Sequence, residues 1–411
     1  MPTDSPLSRR DFLAASAIGA LGIARGAAAD RDEEPQPAGQ LLYVGTYTDP
    51  GRAEGVFLVR MDPRTGALRQ VGARDVGPNP SFLAIHPNGR TLYAVNEITE
   101  LAGEQSGSVT SFAIAPGTGR LARLEERFSE GGAPCYVSVD PQGRFVFVAN
   151  YVGGSVAVLP VGRDGALMPA THVVQHSGTG PNAERQEAAH AHCVIPDRRG
   201  TFVVAADLGT DRVMVYRLDR ERGSLVQAAP APGPSTTATP VSGAAMRPGA
   251  GPRHLAFHPT LPFLFVANEL DSTVTRMRWD AATGKLTVEE SASTLPAGAT
   301  GKSQVADIHI APSGRTLYVS NRGHDSIAVL SVAPGTGALA PVEVVPTGGA
   351  WPRNFSLDPT GRWLLVANQN SDSIVVFARD AESGRLTPTA HRLTVPKPVC
   401  LRFLAHAGTT T

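Results

Sequence analysis

Cysteine is scarce in this sequence, as are aromatic residues and long apolar runs. The three cysteines among 411 residues are an odd number that makes no disulfide framework, and we expect Cys135, Cys193 and Cys400 to be small buried strand residues. Aromatic residues make up only 6% of the chain. Beyond the N-terminus no apolar run approaches the roughly 18 residues that a transmembrane helix requires, so we expect no membrane span in the mature chain.

Charge of neither sign is in excess. Basic and acidic residues number 37 each, and there is no basic cluster of the kind that nucleic-acid-binding proteins carry. Glycine (43) and proline (34) are abundant and punctuate short runs of β-branched residues, a pattern typical of an all-β protein. We therefore expect no nucleic-acid partner and a monomer that acts on a small molecule.

The N-terminus has the order of features found in a twin-arginine export signal. Arg9 and Arg10 precede an apolar stretch that ends at Ile23, and the small residues 27–29 follow it. We predict a signal peptide over residues 1–29, a flexible linker over 30–39 and one domain over 40–411, exported to the periplasm or the cell exterior. The alternative is a disordered tail in which the paired arginines are accidental.

A turn followed by a short apolar strand that ends in Asn or Asp recurs along the chain. Residues 86–90 lead into a strand that ends at Asn96, and further copies end at Asn150, Asp207, Asn268, Asn321 and Asn368. Another strand and a glycine-containing turn follow each copy. Seven units of about fifty residues, each with four short strands, predict a seven-bladed β-propeller.

The first unit, which begins near Leu41, lacks an inner strand of its own. Residues 399–405 follow Pro398 as other inner strands follow Pro80 and Pro134, so the C-terminus is predicted to close the first blade. A pair of β-sandwiches or an open solenoid would not explain this complementarity. Residues 228–251, rich in Pro, Ser, Thr and Gly, are predicted to form a long surface loop.

Polar residues occupy the ends of particular strands. In an up-and-down blade, the innermost strand starts at the end of the disc where the second strand finishes, so residues at these two positions converge. The candidates are Arg253, Arg353, His190, His192, Glu269 and Arg322. They should gather imidazole, carboxylate and guanidinium groups around one mouth of the central channel.

Simpler interpretations of these residues remain open. Arg253 and Arg353 could each neutralise a loop carboxylate. Glu269 has a counterpart, Glu97, in another unit, which weakens the case for a special role. His190 and His192 alternate along a strand and could bind a metal ion, although no third and fourth ligand motif accompanies them.

The motifs at these positions resemble one known family. They are residues 186–192 (QEAAHAH), 251–259 (GPRHLAFHP), 268–270 (NEL), 307–310 (DIHI), 320–324 (SNRGH) and 352–355 (PRNF). From Leu41 to the C-terminus the chain is similar to the seven-bladed lactonases typified by 6-phosphogluconolactonase, whose relatives include a muconate-lactonizing enzyme. The resemblance implies that His190, Arg253, Glu269 and Arg322 match the family's active-site set.

The same motifs contain further candidates for binding substrate, namely Arg353, His192, His254, His324 and Asp307. Asp307 stands where many members of the family carry Glu. We expect Glu269 to act as general base and His190 as proton donor, with Arg253 and a second arginine stabilising the oxyanion. No metal or other cofactor is expected.

Three functions follow from these expectations. The first is hydrolysis of a sugar lactone by general acid and base chemistry. The second is muconate-type cyclisation of an unsaturated acid, which product analysis would distinguish. The third is a non-catalytic binding propeller, but polar motifs concentrated in particular blades at one rim favour a catalytic site.

Overall fold

The computed structural model describes residues 39–49, 54–227 and 243–404. Within these ranges the chain forms antiparallel strands and one short 3-10 helix, Gln369–Ser371, and no helix there is long and apolar enough to cross a membrane. The strands make seven separate sheets, which confirms the prediction of an all-β, seven-bladed propeller. The predicted signal peptide and almost all of the predicted linker lie outside the described residues.

Each blade has four strands, in order from the channel outward. Blade 1 contains β29 (Pro398–Phe403), β1 (Gln40–Thr46), β2 (Val56–Met61) and β3 (Leu68–Arg74). Blade 2 contains β4 (Leu83–Ile85), β5 (Thr91–Asn96), β6 (Ser108–Ile114) and β7 (Leu121–Phe128). Blade 3 contains β8 (Pro134–Val139), β9 (Phe145–Asn150), β10 (Ser155–Pro160) and β11 (His172–Gln175).

The later blades follow the same order. Blade 4 contains β12 (Ala191–Pro196), β13 (Phe202–Asp207), β14 (Arg212–Asp219) and an outer edge split into β15 (Ser224–Gln227) and β16 (Gly243–Ala245). Blade 5 contains β17 (Pro252–Phe257), β18 (Phe263–Asn268), β19 (Thr273–Asp280) and β20 (Lys285–Ser293). Blade 6 contains β21 (Gln304–Ile310), β22 (Thr316–Arg322), β23 (Ser326–Val332) and β24 (Leu339–Pro346), and blade 7 contains β25 (Pro352–Leu357), β26 (Trp363–Asn368), β27 (Ser373–Arg379) and β28 (Leu386–Thr394).

One predicted loop contains a strand. The sequence predicts no regular structure over residues 228–251, but β16 pairs with β14 beyond the end of β15. Because β14 is eight residues long and β15 covers only its second half, the returning chain finds free backbone donors and acceptors there. Residues 228–242, between the two strand segments, lie outside the described residues.

Ring closure joins the two ends of the described chain. In blade 1, β29 pairs antiparallel with β1, with Gly45 opposite Cys400 and Leu42 opposite Phe403. Val399, Cys400 and Leu401 are almost completely buried. The C-terminal strand therefore supplies the inner strand that the first unit lacks, as the sequence predicts.

Neighbouring blades are fastened by tyrosine hydroxyls. Three fully buried tyrosines on second strands donate hydrogen bonds to glycine carbonyls in the turns of the next blade: Tyr43 to Gly119 at 2.7 Å, Tyr93 to Gly165 at 3.1 Å, and Tyr318 to Gly384 at 2.7 Å. Gly119 has a φ of 73°, and a Cβ there would lie 2.8 Å from Leu41. The turn glycine is thus required both by its backbone conformation and by the close approach of the preceding blade.

The inner strands of six blades carry an irregularity near their first residues. In β17, Pro252 and His254 pair with consecutive residues of β18, which leaves Arg253 as an extra residue. The unpaired residues at this position are Val399, Cys135, His192, Arg253, the pair Ala306 and Asp307, and Arg353. A β-bulge re-aims the side chain of the extra residue, and these residues form what we call the bulge ring.

Candidate active site

A pocket of about 290 Å³ opens at the mouth of the channel. The residues that line it are Glu97, Cys135, Tyr151, Arg185, His192, Glu269, Arg322 and Arg353. A second cavity shares Glu97, Cys135 and Arg353 with the pocket and adds Arg253 and His254 to its walls. Members of the bulge ring and residues that end second strands therefore meet at one rim, as the antiparallel geometry predicts.

Glu269 lies at the centre of a cluster of guanidinium groups. Its Oε2 contacts Nε of Arg253 and Nη2 of Arg322, each at 2.9 Å, and its Oε1 accepts a hydrogen bond from Nη2 of Arg185 at 2.6 Å. The side chains of Glu269 and Arg253 are both 3% exposed. Burial would raise the pKa of Glu269, but the three arginines outweigh it and hold that pKa far below its usual range.

These contacts argue against the predicted role of Glu269 as general base. A base must accept a proton during the reaction, and a carboxylate held by three guanidiniums has little affinity for one. Glu269 instead fixes the orientation of the arginines. Burial lowers the pKa of Arg253 and Arg322, an effect that Glu269 opposes in both.

A hydrogen-bonded chain supports Arg253 from below. His254 donates from Nδ1 to Oδ1 of Asp307 at 2.8 Å, and its Nε2 accepts from Nη1 of Arg253 at 3.0 Å. Burial, with the neighbouring Arg253 charge, lowers the pKa of His254 to about 3, so the neutral tautomer that these contacts need persists at neutral pH. Asp307 also accepts hydrogen bonds from His309 and Asn354. Asp307 and His254, predicted to bind substrate, are therefore placed to orient Arg253.

The other side of the pocket contains a different network. Nη2 of Arg353 donates to the Tyr47 hydroxyl at 2.7 Å, and the guanidinium lies over the Tyr47 ring. That hydroxyl contacts both carboxylate oxygens of Glu97, at 3.0 and 2.9 Å, and the Ser81 hydroxyl donates to the same carboxylate. Burial raises the pKa of Tyr47, so the phenol remains a donor at neutral pH.

The two predicted histidines near blade 4 differ in position. His190 stacks on Tyr151 with ring centroids 4.5 Å apart, and its nitrogens contact the Tyr151 carbonyl and Glu187, each at 3.0 Å. It lies behind Tyr151 rather than on the pocket wall, so a proton from its ring does not reach the pocket directly. His192 does line the pocket, and burial lowers its pKa well below the usual value, which keeps the ring neutral.

One predicted residue lies away from the others. The Nδ1 of His324 contacts the Ser326 hydroxyl at 2.8 Å, and its side chain lines a groove beside β24 rather than the central pocket. The structure does not bring His324 to the other candidates. In the described part of the chain, no group of three or more His, Cys, Asp or Glu side chains is arranged to hold a metal ion.

One residue of the pocket is missing from the predicted set, and Glu97 has a larger part than its repeat suggests. Arg185 reaches Glu269 from the loop before β12, and the buried Gln186 secures that loop by donating to the Leu208 carbonyl at 2.8 Å. No strand pattern marks position 185, although it immediately precedes the QEAAHAH motif. The recurring Asn-Glu pair is itself a signal that two carboxylates face one channel.

The fold and the pocket define a seven-bladed propeller with a site rich in arginine at the channel mouth. The family model "Lactonase, 7-bladed beta-propeller" matches residues 41–403. The chain belongs to this family.

Particular relatives agree with that assignment. The chain is 38% identical to the 6-phosphogluconolactonase of Bacillus subtilis over 363 residues, which covers 88% of this chain and 97% of the relative. A 6-phosphogluconolactonase of Formosa agariphila is 31% identical over 77% of this chain and 86% of its own length. Among solved structures, the periplasmic gluconolactonase of Pseudomonas aeruginosa is similar with a TM-score of 0.80 and 36% identity, over 90% of this chain and 99% of that one.

Proposed function

We propose that this chain hydrolyses a sugar lactone in the pocket at the channel mouth. The observation that carries the proposal is the convergence of four arginines and two glutamates on connected cavities: Arg185, Arg253, Arg322, Arg353, Glu97 and Glu269. The names of the relatives support the substrate class, since they act as 6-phosphogluconolactonase or gluconolactonase.

The arginines suit the charge that develops in ester hydrolysis. Attack of water on the lactone carbonyl places a negative charge on oxygen, and fixed donors in a buried site stabilise it. The Nε of Arg322 is buried and has no hydrogen-bond partner among the described residues, so it is a donor available to a substrate oxygen. We assign oxyanion stabilisation to Arg322 and Arg253, with Arg353 on the opposite wall.

Charge also bears on which lactones enter. Four guanidiniums against two carboxylates leave an excess of two positive charges around the pocket, which favours a substrate with a phosphate or carboxylate substituent. Phosphorylated sugar lactones belong to cytoplasmic metabolism, whereas the predicted signal favours export. The proposal therefore includes both phosphorylated and plain sugar lactones.

A hydrolysis screen tests the proposal. Purified protein is assayed with glucono-δ-lactone and its 6-phosphate, with spontaneous hydrolysis subtracted and products identified by chromatography. We expect turnover that EDTA leaves unchanged and that Arg322→Met lowers by about a hundredfold. Arg64→Met, at a side chain 86% exposed, is the matched control. Absence of turnover on every lactone, or a cyclised product from an unsaturated acid, would contradict hydrolysis.

We propose further that the protein is exported in folded form through the twin-arginine pathway. Arg9 and Arg10 lie immediately before the apolar stretch of the N-terminal segment, outside the described residues. Replacing both with lysine should hold the precursor in the cytoplasm, as measured by cell fractionation. Unimpaired export of the double variant would refute the assignment.

A further inference from the structure

The geometry points to Glu97, rather than Glu269, as the general base that takes a proton from the attacking water. This inference rests on the proposed lactone hydrolysis and adds the residue that activates the nucleophile. Glu97 and Glu269 are the two carboxylates that line the pocket within the described part of the chain. Their environments differ in the one property that a base needs, which is an oxygen free to accept a proton.

Both oxygens of Glu269 are already held by cations. Arg185 contacts Oε1, and Arg253 and Arg322 contact Oε2. Protonation of this carboxylate would leave three guanidiniums facing one another with no counter-charge in a site that is about 3% exposed. Transfer of a proton to Glu269 is therefore opposed by the whole cluster.

Glu97 is held by hydroxyl groups instead. Its described carboxylate partners are the Tyr47 phenol and the Ser81 hydroxyl, and neither carries a formal charge. Arg353 acts on Glu97 through Tyr47, since its Nη2 donates to the phenol oxygen. These neutral contacts orient the carboxylate and leave lone pairs for a further donor.

The position of Glu97 also fits the role. It lines both the pocket and the cavity beneath it, so its carboxylate borders the space that faces the arginines. The charged and titratable groups around it are Tyr47, Cys135, Arg253, His254 and Arg353. Burial raises the pKa of Cys135 and lowers that of His254, so thiolate and imidazolium do not compete with Glu97 at neutral pH.

The step balances with these groups alone. The water oxygen bonds to the lactone carbonyl carbon while its proton passes to a carboxylate oxygen of Glu97, and the carbonyl electron pair moves to the oxygen that faces the arginines. On collapse, the bond between that carbon and the ring oxygen breaks. The ring oxygen takes the proton back from Glu97, and the product acid releases its own proton to solvent.

Chemical rescue separates a base from a structural residue. We expect Glu97→Gln to lower kcat for glucono-δ-lactone by about a hundredfold or more, with a much smaller change in KM. In Glu97→Ala, added formate or azide should restore turnover in a concentration-dependent manner, because a small anion can occupy the vacated space and accept the proton. Glu382→Gln, at an exposed turn far from the pocket, is the matched control.

A conservative change next to Glu97 provides a second measurement. Tyr47→Phe removes the donor that stabilises the charged carboxylate, so the acidic limb of the kcat–pH profile should move to higher pH. Wild-type kcat in Glu97→Gln would overturn the inference and leave lactone hydrolysis intact. Lost activity with neither anion rescue nor a shifted limb in Tyr47→Phe would assign Glu97 a structural role. A wild-type protein that hydrolyses no lactone would overturn both proposals.

Discussion

The two sides of the pocket use the same residue pair for opposite ends. Asn268-Glu269 and Asn96-Glu97 each follow the second strand of a blade. Glu269 is enclosed by guanidiniums, while Glu97 contacts hydroxyls. The repeat delivers a carboxylate to the same height of the channel twice, and the neighbouring blades then decide whether it holds cations or can accept a proton.

The two sides also differ in how the chain assembles them. The Glu269 cluster uses Arg253 and Arg322 from the consecutive blades 5 and 6. The Glu97 network joins Tyr47 of blade 1 to Arg353 of blade 7, across the point where β29 closes the ring. Backbone contact between Tyr47 and Lys397, N to O at 3.1 Å, fixes this junction.

Deleting the C-terminal strand should have the largest effect and should remove the Glu97 side first. Loss of residues from Val399 onward uncovers β1 and removes Val399, Cys400 and Leu401, each worth about 1.5–3 kcal/mol when fully buried if aliphatic. That approaches the roughly 5–15 kcal/mol stability of a typical protein. We expect cooperative thermal unfolding to be lost or its midpoint to fall sharply in calorimetry.

A chain that ends at Leu404 keeps β29 and is the control for this truncation. Equal melting temperatures for the two shortened proteins would show that ring closure contributes nothing to stability.

Glutamine substitution should separate the two carboxylates by stability. Glu269→Gln leaves three guanidiniums without their buried counter-charge, and breaking such a buried pair costs about 3–5 kcal/mol. Glu97→Gln retains a group that hydroxyls can contact, so we expect about 1 kcal/mol or less. Denaturant titration measures both changes. Equal losses would mean that the two sides are electrostatically alike.

Acid should weaken the Glu269 side through His254. Its pKa is about 3 in the fold and about 6.5 in an unfolded chain, so below pH 6.5 the unfolded state binds a proton that the folded state does not. This contribution is complete above pH 6.5 and is lost as the pH falls toward 3. Between pH 7 and 5 the loss is about 2 kcal/mol.

The variant His254→Gln should therefore show a smaller decrease in unfolding free energy over that range, by about the same amount. His391→Gln, on the outer strand β28, is the control. An unchanged pH dependence in His254→Gln would show that the imidazole is not held neutral.

Arg185 should show the smallest effect, because it is the outermost member of the Glu269 cluster. Its side chain is 30% exposed, against 3% for Arg253 and 5% for Arg322. Arg185→Met should cost about 1 kcal/mol or less of stability and lower kcat/KM by about tenfold. Steady-state kinetics beside Arg64→Met checks this, and a loss as large as that of Arg322→Met would place Arg185 at the reacting atoms.

Strand order, ring closure and the shared rim were predictable because each depends on a period that the sequence displays. Arg253 and Arg322 could be placed at one rim from the direction of their strands alone. The ion pairs could not be predicted, since they depend on side chains of different blades meeting within about 3 Å. Arg185 was missed because a loop has no period, and the role of Glu269 was misjudged because proton affinity depends on neighbours rather than on residue type.

The bulge ring has a consequence for how new specificities can arise in this scaffold. An extra residue in a bulge stands outside the regular pairing of the inner strand, so its side chain can change while the ladder beside it stays intact. Cys135, His192, Arg253, Arg353 and Val399 then amount to positions of a natural combinatorial library, each on a different blade. Randomising Cys135 and Val399, which make no ion pair in the described structure, is a direct way to select variants for other cyclic esters without rebuilding the propeller.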